Sequence, residues 1–287
     1  MIQQEAPNIG EVVLHHTADA YSIGVEPFFS LHWSRWSDTH LGPLTVNLTP
    51  TKHVILLFVA AILVFLTMWI AGRRLERQRA GGNAPRGFAN AIEAMVLFVR
   101  NEIAIANIGH EEGARYAPLV MSLFFFILYA NLLGLVPHLA TATGNVAVTG
   151  ALALVSFTAI EVGGFIKLGP KGYLRTIFPK VPGMSGPGAL TMSLVMAPIE
   201  VLSKFVKPFA LCVRLFGNMT AGHFAILSLL GIIFLAANLQ GWNWGIGILT
   251  SLVVVAISAL EIFVAFLQAY VFALLTAVFI GLMQHEH

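Results

Sequence analysis

The chain has 287 residues, 57% hydrophobic and only 10% charged, against roughly 25% Asp, Glu, Lys and Arg in soluble domains; a stand-alone soluble enzyme is excluded. Its 16 basic and 14 acidic residues leave a net charge of +2, too little for a nucleic-acid-binding footprint. The informative quantity is where those few charges sit.

Residues 1–53 are polar and open with neither a basic stretch nor an apolar run, so no cleavable signal peptide is expected. They read as a tail outside the membrane, followed by a single membrane domain over residues 54–287. The histidines His15, His16, His32 and His40 are scattered through the tail, and solvated side chains are the expected reading rather than a metal site. The first apolar run, Val54–Ile70, is closed by Arg73, Arg74, Arg77 and Arg79. Gly81-Gly82 is only a linker, because no GK[ST] follows it. Over residues 88–105 the residues Phe88, Ile92, Met95, Val96, Val99 and Ile103 recur at helical spacing. This predicts an amphipathic helix on the inner membrane surface, or one packed on a protein partner.

Further apolar runs cover about Ala117–Val136 and Val146–Ile166, each near the ~20 residues needed to cross the hydrocarbon. The last two, residues 188–237 and 245–283, are too long for one perpendicular crossing. Either each breaks into two crossings or both form a long, steeply tilted hairpin with its tip at Asn238–Trp244. Basic residues orient the set. Arg73, Arg74, Arg77, Arg79, Arg86, Arg100 and Arg115 fall between spans one and two, and Lys167, Lys171, Arg175 and Lys180 between three and four. The connections 138–144 and 238–244 hold none. By the positive-inside rule this predicts five crossings, the N-terminus outside and the C-terminus inside, with Trp242 and Trp244 at the outer interface.

Within the fourth run, Glu200, Ser203, Lys207, Ala210, Arg214, Gly217 and Ala221 follow one another at spacings of three and four. They form a small or polar stripe suited to close helix contact. Arg214 is flanked only by apolar and small residues, and a cation at such depth costs from ~2.5 to more than 10 kcal/mol, so it marks function by default; a headgroup or a structural carboxylate is the plainer partner. Asn218 lies one turn on. In the fifth run Glu261 and Gln268 are two turns apart on one face, preceded by Ser258. His223 points away from Arg214 on an ideal helix and is free to face Glu261, giving either a proton relay or a structural hydrogen bond. The single Cys212 lies in an apolar run and reads as inert. No nucleotide loop, nucleophile with its base, or metal-ligand cluster is legible, so neither cofactor nor metal is expected.

These residues resemble a known family, the a subunits of F-type rotary ATP synthases. Lys207-Pro-Phe-Ala-Leu-Cys-Val-Arg-Leu-Phe-Gly-Asn-Met-Thr-Ala-Gly-His223 is similar to its RLFGNMxAG signature, Asn131-Leu-Leu-Gly-Leu-Val-Pro137 to its N-L-x-x-L-x-P element, and Leu267-Gln-Ala-Tyr-Val-Phe to its LQAxxF pattern. The resemblance extends over about Tyr116–His287. It implies an all-α membrane protein of the bacterial inner membrane whose last two helices form a tilted hairpin against a ring of c subunits. It also implies b-type peripheral stalk partners and no catalytic step in this subunit. Arg214 would be the essential fixed charge. Asn218, His223, Glu261 and Gln268 would line an outer half-channel, and Glu200 and Ser203 an inner one. One departure is visible: many bacterial members carry Glu where His223 stands and His where Glu261 stands. A self-contained secondary transporter with Arg214 binding an anion is the competing class; it predicts paired internal repeats, and none is evident.

Overall fold

The computed structural model describes residues 21–25, 29–41, 44–47, 49–80, 87–136, 141–178, 187–236 and 243–285. His15, His16, Gly81, Gly82, Arg86, Pro137, Lys180 and Trp242 lie outside the described residues. Five helices are long and apolar enough to cross a membrane. A chain in hydrocarbon must satisfy its own backbone groups, and the helix does so locally.

Helix α1 (Lys52–Ala80) holds the first span and runs ten residues past Ile70, through the arginine cluster. Helix α2 (Phe88–Phe98) continues through a π-helical stretch, Val99–Ile105, and one further turn at Ala106–Ile108. Gly109, at φ 109°, turns the chain into α3 (His110–Gly134). Helix α4 (Val146–Ile177) breaks at Gly169, whose φ of 67° precedes Pro170. The two oversized segments do not divide. Helix α5 (Pro187–Ala236) runs for 50 residues through Pro198 and Pro208, and α6 (Asn243–His285) for 43. Helices of about 75 and 65 Å fit a hydrocarbon layer of about 30 Å only at a steep inclination or by extending beyond it.

The described chain forms two compact units. The first comprises residues 1–64, 126–145 and 216–268. It holds two antiparallel hairpins that the composition of the tail did not reveal: β1 (Ser22–Val25) with β2 (Phe29–His32), and β3 (Thr39–Leu41) with β4 (Leu44–Val46). Trp33 Nε1 donates to the Pro50 carbonyl at 2.8 Å, and the Trp36 amide to Thr49 Oγ1 at 2.8 Å, tying the hairpin region to the start of α1. Asp38 accepts from Asn47 and Arg35, which hold its carboxyl below the usual carboxylate range.

The second unit comprises residues 65–125, 146–215 and 269–287. Here the apolar stripe of the amphipathic segment is covered by the chain itself. Ile92, Val99 and Ile103 are buried, while Leu97 and Phe98 stay half exposed. Phe98 stacks on Tyr270, and Gly281 of α6 leaves room for the Asn107 carbonyl, so α2 and the turn after it pack on α6. Ser156 of α4 accepts from Thr276 of α6 at 3.3 Å. Small residues at such contacts let backbones approach closely.

Candidate functional site: two polar clusters at membrane depth

In the first unit, α5 and α6 bring His223 and Glu261 together. His223 Nδ1 lies 3.3 Å from Glu261 Oε1, and Glu261 is only 4% exposed. Gly222 is what admits the carboxylate: a Cβ there would stand 2.5 Å from Glu261 Oε1. A third residue, Thr141 in the segment between α3 and α4, completes the cluster. Its Oγ1 is 3.0 Å from His223 Nε2, 3.3 Å from Nδ1, and 3.4 Å from the Gly134 carbonyl. Deeper in the same unit, Thr143 donates to Asn131 Oδ1 at 2.7 Å, and Asn131 Nδ2 to the Ala265 carbonyl at 3.3 Å. Gln268 is buried and Asn218 exposed. Ser258 donates to the Val254 carbonyl of its own helix rather than to Glu261.

The second unit holds a separate cluster around Lys204. Its ammonium donates to Thr176 Oγ1 at 3.0 Å, pairs with Glu161 Oε2 at 3.4 Å, and sits 4.4 Å from the Tyr173 ring centroid. Tyr173 also donates its hydroxyl to Glu161 Oε2. The pair is largely buried, with 8% exposure at the Lys204 side chain and 16% at Glu161. A small cavity beside it is lined by Glu161, Glu200, Lys204, Lys207 and Phe279, among others. Four charged side chains line one part of it and apolar residues such as Phe157, Ile160 and Leu282 the rest. Glu200 thus lines a cavity together with Glu161, Lys204 and Lys207, and Ser203 is half-buried.

The small or polar stripe of α5 does not keep one environment. Ser203 and Lys207 are half-buried, whereas Ala210, Arg214, Asn218 and Ala221 are exposed. Arg214 makes no ion pair within its own unit among the described residues. Cys212 lies 3.3 Å from Thr149 Oγ1. Among the described residues no group of three His, Cys, Asp or Glu is placed to hold a metal ion.

Sequence reasoning missed Thr141, Glu161, Tyr173 and Thr176. Glu161 carried a usable signal: it is a carboxylate inside the third apolar run, as anomalous there as Arg214 is in the fourth. Thr141 carried none, since a threonine in a connection is ordinary.

Five helices among the described residues that are apolar and long enough to cross a membrane, with Lys204 and Glu261 buried on two of them, define a multi-pass helical membrane protein. The family described as ATP synthase A chain matches residues 44–281. The chain is 46% identical to ATP synthase subunit a of Myxococcus xanthus (strain DK1622), over 84% of this chain and 76% of that protein. It is 40% identical to ATP synthase subunit a of Anaeromyxobacter sp. (strain Fw109-5), covering 98% and 72%. It is likewise 40% identical to ATP synthase subunit a 2 of Chlorobaculum tepidum, covering 95% and 72%. The chain belongs to the ATP synthase A chain family.

Proposed function

We propose that this chain is the proton-conducting stator of an F-type ATP synthase, seated in the bacterial inner membrane with its N-terminus outside and its C-terminus in the cytoplasm. The observation that carries the reading is Arg214: a guanidinium exposed on α5 inside an apolar span, with no carboxylate paired to it in its own unit among the described residues. A permanent cation in that position calls for a counter-group. A ring of c subunits with one membrane carboxylate each supplies it.

Protons reach the ring from the outer side through Asn218, His223, Glu261 and Gln268 and neutralise a ring carboxylate. The neutral group turns into lipid, where its ionised form would be prohibitively costly. Near Glu200 and Ser203 it releases the proton towards the inner side. Arg214 favours the ionised form of the arriving carboxylate by Coulomb attraction, and its fixed charge opposes a direct leak between the two half-channels. The subunit forms no covalent bond; nucleotide chemistry belongs to the remainder of the complex, which peripheral stalk subunits of b type hold against the stator.

Ring contact is testable by crosslinking. Ala210 and Ala221 are both exposed and lie three helical turns apart on α5. Cysteines placed there, in a Cys212→Ser background, form disulfides with cysteines on the outer helix of the ring. Crosslinks from Leu202 and Phe209 alone would put a different face towards the rotor. The relay is tested by exchange: His223→Glu combined with Glu261→His keeps one acid and one imidazole in contact and retains more ATP-driven proton pumping than either single change. A double variant no better than the singles rejects the pair as a relay.

A further inference from the structure

Resting on that reading, we infer that Thr141 is a further member of the outer proton path, the hydroxyl through which protons reach His223. Three observations converge on its Oγ1. It lies 3.0 Å from His223 Nε2 and 3.3 Å from Nδ1, and Nδ1 is also 3.3 Å from Glu261 Oε1. A carbonyl, that of Gly134, stands 3.4 Å from the same oxygen. The side chain is buried, and the chain makes room for it, since a Cβ on Gly134 would fall 2.6 Å from Oγ1.

A hydroxyl donates one hydrogen and accepts through two lone pairs. With Nε2 unprotonated, Thr141 donates to it. Oγ1 stands nearly level with both ring nitrogens, so with Nε2 protonated a turn of the ring brings that N–H onto Oγ1 while the hydroxyl hydrogen turns to the Gly134 carbonyl. Both protonation states of the imidazole thus find a partner, so neither leaves a buried polar atom unsatisfied. Transfer balances without a further reagent. A hydronium ion on the outer side gives a proton to Oγ1, leaving water, as the hydroxyl hydrogen passes to Nε2. The imidazolium then releases its Nδ1 proton to Glu261 Oε1, the proton ends on the carboxylate, and the Nε2–H tautomer left behind returns to Nδ1–H by proton exchange before the next transfer. Glu261 is the one titratable side chain in contact with His223 within this unit among the described residues.

The experiment is passive proton flow through the assembled complex in membrane vesicles, recorded as a function of pH on the outer side. Thr141→Val keeps the shape and removes the hydroxyl; it slows uptake roughly tenfold, the scale of one hydrogen bond to a charged group, and alters the pH profile. Thr141→Ser restores both. Thr141→Ala provides a second hydroxyl-free variant if the valine fails to assemble. Wild-type flow in an assembled hydroxyl-free variant overturns the inference, as does a serine variant as slow as the valine one. Wild-type vesicles that conduct no protons would instead overturn the stator reading.

Discussion

Replacing Arg214 with alanine abolishes proton-driven ATP synthesis while leaving the subunit in the membrane and the complex assembled. The side chain is exposed on α5 and makes no ion pair in its own unit among the described residues, so its loss leaves no buried acid behind in that unit. Removing a guanidinium from an apolar span relieves a burden of ~2.5 kcal/mol or more, so the helix itself is not weakened. What disappears is the charge that an ionised ring carboxylate meets on passing. Arg214→Lys keeps a positive charge but not the rigid fork that holds a carboxylate in two places, and it rescues at best weakly. ATP synthesis in energised vesicles and assembly of the complex are read on the same preparation. Normal synthesis in Arg214→Ala would remove the basis of the proposed mechanism.

The second large effect concerns stability. Glu161→Gln and Lys204→Met each leave one charge buried without its partner, which costs about 3–5 kcal/mol when a buried pair is broken. Lys204 would keep Thr176 and the Tyr173 ring, neither of which neutralises it. Changing both residues together removes the stranded charge and returns most of the loss, because a buried ion pair contributes little net stability over an uncharged replacement. Thermal inactivation of the detergent-solubilised complex measures all three variants against wild type. Singles as stable as wild type would show that water reaches the pair through the neighbouring cavity. A double variant as unstable as the singles would show that Glu161 and Lys204 act separately.

Much of the architecture was legible in the sequence because hydrocarbon imposes a simple rule: apolar runs of sufficient length become helices. The five spans follow from that rule, and Gly169-Pro170 marks a place where a helix interior turns sharply. The lengths of α5 and α6 were legible too, but not their continuity. Pro198 and Pro208 each remove a backbone donor, and nothing in composition says whether the helix survives them. The site was legible wherever a charge stood in apolar surroundings, as with Arg214 and Glu261. It failed for groups whose meaning depends on a remote partner. Lys204 becomes informative only beside Glu161, 43 residues earlier. Thr141 becomes informative only once the chain brings it to an imidazole 82 residues away. The amphipathic stripe at residues 88–105 showed its period but not its cover, since lipid and protein select for the same apolar side chains.

The glycines beside Glu261 and Thr141 make room by omission. A glycine in a helix interior gives up about 1 kcal/mol relative to alanine. Gly222, inside α5, and Gly134, at the end of α3, each omit the one carbon that would collide with Glu261 or Thr141. The helices forgo a little local stability there, and a carboxylate and a hydroxyl occupy the space.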